Sequence, residues 1–256
     1  MPTQAVSTNN LLLAALPRKD REQLLAHCEQ VELLFAEELY HAGERIHNVY
    51  FPTGSIITLM TPVDGGANLE VGLIGNEGML GVTLILEVNH APFHALVQGV
   101  GPALRMKASL FLRILEQSHA LQLELKRFLY VSMSQLGQTA ACTRFHRVEA
   151  RLARWLLMTH DRAHSDHFHV THVFLAYMLG VRRVGITKAA NSLQNQKLIS
   201  YRRGNITILD RTGLEAVSCG CYPADKETYE RVLGYRASGI INTPTLIRTT
   251  QSIPAL

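Results

Sequence analysis

Glycine and proline divide this chain into two regimes. From about Val31 to Met106, short apolar stretches are punctuated by Gly43, Pro52-Thr53-Gly54, Pro62, Gly65-Gly66, Gly72, Gly75, Gly78, Gly81, Gly99 and Gly101-Pro102. From Lys107 to about Arg144 there is no proline, and Gly137 is the only glycine. Both residues are costly inside a helix, so the first regime cannot be a long one. Its stretches Val49–Phe51, Ile56–Met60, Glu70–Ile74, His94–Val97 and Ala103–Met106 are rich in β-branched and aromatic residues. Many short strands with regular turn signals predict a sandwich, roll or barrel. Asp64-Gly65-Gly66 reads as a hairpin turn between two of them. Ahead of this region, Leu11 to Val31 reads as helical, with a start at Pro17-Arg18-Lys19-Asp20.

The second regime can be one long helix. Leu121, Leu125, Phe128, Ser132 and Leu136 recur at helical spacing and form a single stripe. An intramolecular core would account for the stripe, but a long helix leading from a β domain into a basic domain is more simply read as a dimer seam. After Phe145-His146 another helix is expected, with Val148, Leu152, Trp155 and Leu156 on one face. A polar loop from Thr159 to Thr171, two short helices and two strands follow. The expected organisation is 1–115, 116–145, 146–235 and a loosely held tail, 236–256.

The net charge of +4 is unevenly distributed. Residues 1–145 carry 10 Lys+Arg against 13 Asp+Glu, residues 146–204 carry 10 against 3, and residues 205–256 carry 5 against 5. One block of the chain is therefore strongly basic, as a polyanion partner requires. Cys28, Cys142, Cys219 and Cys221 are too scattered to suggest a disulfide framework, and no Cys-x-x-Cys pair marks a metal site. No apolar run is long enough for a membrane helix. Met1 to Asn10 lacks the basic-then-apolar pattern of a secretory signal, so the cytoplasm is the expected compartment.

The basic block contains the most informative segment, Val170 to Leu193. Thr171 reads as an N-cap, with Leu175, Met178 and Leu179 on the inner face of a short helix. Gly180 sits where a tight turn is needed. A second helix is expected from about Arg182 to Asn195, with Ile186, Ala190 and Leu193 inward. Two short helices about a glycine turn make a helix-turn-helix. Arg182, Arg183, Thr187, Lys188 and Asn191 fall on the outer face of the second helix, whose N-terminal turn would enter a major groove. Either arginine can bond a guanine edge in two places, Lys188 suits a phosphate, and Gly185 would permit close approach. Leu198–Tyr201 and Ile206–Leu209 read as a hairpin whose tip, Arg202-Arg203-Gly204-Asn205, suits a wing along the DNA backbone.

At this point the chain resembles the Crp/Fnr family of bacterial transcription regulators. The resemblance runs from about residue 11 to 221 and is most specific at Met178-Leu-Gly-Val-Arg-Arg-Val-Gly-Ile-Thr-Lys-Ala-Ala190, Leu193 and Gln196-Lys-Leu-Ile-Ser200. Gly43-Glu44 and Gly75-Asn-Glu-Gly-Met-Leu-Gly81 carry it in the N-terminal half. It implies an α+β fold, with an N-terminal β-roll of jelly-roll (double-stranded β-helix) type, a long dimerisation helix and a C-terminal winged helix-turn-helix. It implies a homodimer on a two-fold operator in double-stranded DNA, and leaves RNA polymerase open as a further partner.

The sequence departs from the cyclic-AMP-binding members at the expected ligand pocket, Gly81, Val82, Ala91 and Pro92. Gly81 is followed by Val82 where those members have Glu, and Ala91-Pro92 stands at their Arg-Ser. No arginine occurs between Arg45 and Arg105. A phosphate needs a cationic or multi-donor cradle, so a cyclic nucleotide is not expected; no cofactor is assigned, and the effector is left open. The four histidines and two aspartates between His160 and His169, with His172, match no defined metal spacing, and Cys219-Gly-Cys221 reads as structural. No catalytic motif is present, so no enzymatic activity is expected. A small-molecule or metal sensor with secondary DNA binding is the alternative.

Overall fold

The computed structural model describes residues 9–63 and 67–234. The expected turn at Asp64-Gly65-Gly66, the tail 236–256 and Met1–Thr8 lie outside the described residues. The expected N-terminal helix is two short ones, α1 (Leu11–Ala14) and α2 (Arg18–Leu25). Asn10 caps α1 and also donates to the carbonyls of Pro52 and Gly78. The stretch assigned to the end of that helix is instead a strand, β1 (Glu29–Leu33). It is followed by β2 (Glu38–Tyr40), β3 (Asn48–Pro52), β4 (Ile56–Val63), β5 (Ala67–Ile74), a 3₁₀ turn (Val82–Leu86), β6 (His94–Gly99) and β7 (Gly101–Lys107). All the expected strands occur; β1 and β2 are additional.

These strands form two antiparallel sheets, ordered β1-β7-β3 and β2-β6-β4-β5. Their inner faces meet over Val49, Phe51, Ile57, Ala95, Val97, Ala103 and Leu104. This is the expected β-roll, built by the apolar residues that its strands turn to the shared interior.

The region expected as one helix is two, α3 (Ala108–Gln117) and α4 (His119–Phe145). Ser118 breaks the run. Its side chain caps α4 by accepting from the Leu121 N–H, while its own hydroxyl donates to Asp20. Leu121, Leu125 and Phe128 lie at 0–1% exposure in the chain's own core. That corrects the expected seam: the stripe packs inward against the β-roll, with Ser132 and Leu136 half-buried. The face α4 turns outward instead carries Leu123, Tyr130 and Met133, at 42%, 55% and 63% exposure.

Beyond α4 come α5 (Val148–Ala163), β8 (His167–His169), α6 (His172–Met178), α7 (Arg183–Asn195), β9 (Ile199–Arg202), β10 (Asn205–Ile208), α8 (Arg211–Val217) and α9 (Cys221–Leu233). The polar loop expected from Thr159 is largely absent, since α5 runs to Ala163 and β8 pairs with β10 in a sheet ordered β8-β10-β9. A second core joins Leu152, Trp155, Leu156, Leu175, Ile186, Ala190, Leu193, Ile199 and Ile206 to Ile56 and Leu73 of the β-roll. The two halves therefore share packing. Polar contacts reinforce the junction: Arg162 pairs with Glu77 at 2.8 Å, Gln98 Nε2 donates to Thr159 Oγ1 at 3.1 Å, and Trp155 Nε1 donates to Glu70 at 3.1 Å.

Candidate DNA-binding interface

The reading helix is placed by its apolar face. Ile186, Ala189, Ala190 and Leu193 are buried against α5 and α6, which fixes the rotation of α7 about its axis. Thr171 caps α6, its hydroxyl accepting from the Phe174 N–H at 3.2 Å. Gly180, at φ +60°, supplies the turn between α6 and α7. Arg182 is the residue that caps α7, and the Gly185 N–H closes its first turn on the Arg182 carbonyl at 2.8 Å. No acidic residue occupies that first turn, so the positive end of the helix dipole is left unopposed.

Arg182, Arg183, Lys188 and Asn191 are exposed. Apart from its chain neighbours and its own helix backbone, a Cβ at Gly185 would meet no atom of the described residues within 4 Å. Thr187 is half-buried, and its hydroxyl is occupied within the protein, donating to the Arg183 carbonyl at 3.1 Å and lying 3.1 Å from His172 Nδ1. Sequence reasoning passed over Val184, an apolar side chain 59% exposed among these basic residues. The signal was a non-polar residue on the face assigned to solvent.

The wing follows directly. Leu198 N donates to the Leu193 carbonyl at 3.0 Å, and Tyr201 N to Gln194 Oε1 at 2.8 Å, so β9 is hung on the end of α7. Arg203 and Gly204 form the two-residue turn, at φ +51° and +84°. Both centres are left-handed, as a tight hairpin of this hand requires. Arg202 and Arg203 are exposed at its tip. β8 backs the wing, with His169 Nδ1 3.1 Å from Asn205 Oδ1 and His167 Nδ1 2.9 Å from Thr207 Oγ1. His172 stacks on Tyr201 with ring centroids 4.3 Å apart.

The basic block is not all surface. Arg154 is buried and paired with Asp225 at 2.6 Å, Arg162 is buried on Glu77, and the buried Arg151 donates to the Leu179 carbonyl. The exposed remainder of the block centres on α7 and the wing.

The expected pocket residues separate slightly. Gly81, Val82 and Pro92 line one cavity of about 90 Å³ with Tyr40, Met79, Phe128 and Met133, whereas Ala91 is buried beside it. No lining residue of this cavity is charged. His160, His167, His169 and His172 each have a different partner, His160 lying 2.7 Å from Asp166. The cysteines, far apart in sequence, are not far apart in space: Cys142, Cys219 and Cys221 converge beside His146.

Residues 150–217 match the family model for the Crp-like helix-turn-helix domain. No curated protein matches the chain. Among solved structures the chain is similar to FixK2 from Bradyrhizobium japonicum (TM-score 0.65, 13% identity, 75% of this chain and 98% of that one). It is similar to CLP from Xanthomonas campestris, a c-di-GMP-responsive global regulator (0.62, 14%, 75% and 99%). It is also similar to a CRP-family transcriptional regulator from Thermus thermophilus (0.61, 18%, 73% and 96%). Residues 150–217 are thus similar to a Crp-like helix-turn-helix domain, carried on a fold that the chain shares with these solved structures.

Proposed function

We propose that the chain acts as a homodimer that reads a two-fold operator in double-stranded DNA in the cytoplasm, with no enzymatic activity of its own. The observation that carries this reading is the exposure of Arg182, Arg183, Lys188 and Asn191 on the open face of α7, beside a wing tipped by Arg202 and Arg203. Arg182 and Arg183 are assigned to base edges, Val184 to a thymine methyl group, and Lys188, Arg202 and Arg203 to phosphates. Thr171 and Thr187 act by holding the motif in shape, and Gly185 by letting the helix backbone approach. The outward face of α4, at Leu123, Tyr130 and Met133, is the pairing surface between two copies. No described helix is long and apolar enough to cross a membrane.

Cyclic AMP does not fit this chain. The cavity at Gly81, Val82 and Pro92 has a mostly apolar lining and no cation to neutralise a phosphate. Selection from a randomised palindromic DNA library tests the main reading, and should yield a two-fold consensus that the Arg182→Ala, Arg183→Ala double variant no longer prefers. Recovery of no consensus would refute it. Calorimetry with cyclic AMP should show no micromolar binding.

A further inference from the structure

Four side chains with metal-binding atoms meet where α4 joins the DNA-binding domain. Cys142 lies in the last turn of α4 and His146 caps that helix. Cys219 and Cys221 flank Gly220 at the α8–α9 junction, Cys221 being the first residue of α9. One sulfur or nitrogen from each of the four lies within 4.8 Å of all the others. Cys142 Sγ is 3.5 Å from Cys219 Sγ, and Cys221 Sγ is 3.4 Å from His146 Nδ1. The three cysteines are buried and His146 is exposed, so the cluster has a closed side and an entry side.

These separations suit a single ion. Tetrahedral zinc at about 2.3 Å from sulfur and about 2.0–2.1 Å from nitrogen places its ligands roughly 3.5–3.8 Å apart. A disulfide would require about 2.05 Å between sulfurs. An iron–sulfur cluster would hold the thiolates farther apart than one ion does.

Charge supplies an independent argument. Arg151 and Arg154 line the same small cavity as Cys142. Arg154 has Asp225 as counter-ion, 2.6 Å away. Arg151 is 7% exposed, and among the described residues no carboxylate lies within ion-pair distance of it. An unpaired buried cation is costly. Zinc held by three thiolates and one neutral imidazole carries a net charge of −1, which offsets Arg151. Binding releases the three thiol protons to solvent and involves no change of oxidation state.

We propose that Cys142, His146, Cys219 and Cys221 form a Cys₃His site for one thiophilic divalent cation, zinc, at the joint between α4 and the winged helix-turn-helix domain. The ion ties the end of α4 to the α8–α9 junction, and so fixes how the DNA-binding domain leaves the long helix.

Anaerobic titration of the reduced full-length protein with Co²⁺ tests this without DNA. The expected result is one equivalent bound per chain, with tetrahedral d–d bands and thiolate-to-cobalt charge transfer that one equivalent of Zn²⁺ abolishes. Cys142→Ser and Cys219→Ser should each weaken uptake by more than about tenfold, while Cys28→Ser leaves it unchanged. Should the buried serine variants fail to fold, His146→Ala at the exposed ligand should still weaken uptake and alter the spectrum. A featureless titration, or uptake unaffected by Cys142→Ser and His146→Ala, overturns the site. So does a Cys142–Cys219 disulfide formed by protein that takes up no cobalt.

Discussion

Replacing Glu70 by Gln should stabilise the protein at pH 8 and remove much of its pH dependence between about 4.5 and 7. Glu70 sits on β5 under α5, with Trp155 Nε1 at 3.1 Å and Thr58 Oγ1 at 2.9 Å both donating to the same carboxylate oxygen. Burial pushes its pKa from 4.5 up to about 7, against the opposing pull of those two hydrogen bonds and of Arg154 and Arg162. Below pH 4.5 the group is neutral in both folded and unfolded states and imposes no penalty. As pH rises, the unfolded chain ionises first, so stability falls until the folded carboxyl also ionises near 7. At about 1.4 kcal/mol per tenfold, the full difference is roughly 3 kcal/mol. Glu70 keeps some solvent exposure, and screening reduces the expected effect to roughly 1–2 kcal/mol. Glutamine keeps an oxygen for Trp155 and Thr58 but carries no charge. Urea unfolding of both proteins from pH 5 to 8 should show a gap that opens with rising pH in favour of Glu70→Gln. A gap that stays constant across that range would refute the burial argument.

Three further outcomes follow from the packing. Gly78→Ala should destabilise by about 1–3 kcal/mol in the same assay, because its Cβ would overlap the buried Phe128 ring. Gly185→Ala should raise the melting temperature, since the site is open and alanine favours a helix by about 0.5–1 kcal/mol, yet weaken operator binding if α7 lies close to the bases. Tyr130→Glu with Met133→Glu should leave the fold intact by circular dichroism and shift sedimentation toward monomer.

The helix-turn-helix was legible because short-range rules set it: the cap at Thr171, the turn at Gly180, and Ile186, Ala190 and Leu193 at helical spacing. The wing was legible for the same reason, its turn residues Arg203 and Gly204 being adjacent. What escaped depends on partners distant in sequence. β8 has only His167, Phe168 and His169, too few for a pattern, and exists because β10 offers it a ladder. Periodicity revealed the stripe at Leu121, Leu125 and Phe128 but could not say whether the β-roll or a second copy covers it; the β-roll does. Ser118 ends α3 without proline or glycine, through its bonds to Leu121 and Asp20. Cys142 and Cys219 are 77 residues apart and meet only because α9 packs along α4.

The central claim is that the N-terminal turn of α7 reads base sequence. Fluorescence anisotropy with a selected operator and a scrambled duplex, across a range of salt, tests it most directly. Arg182→Ala with Arg183→Ala should reduce the operator's advantage by about 1–3 kcal/mol for each base edge that is no longer bonded. Lys188→Ala should instead weaken binding to both duplexes alike and lower the salt slope by about one. An Arg182→Ala, Arg183→Ala variant that keeps the full operator preference would contradict the account.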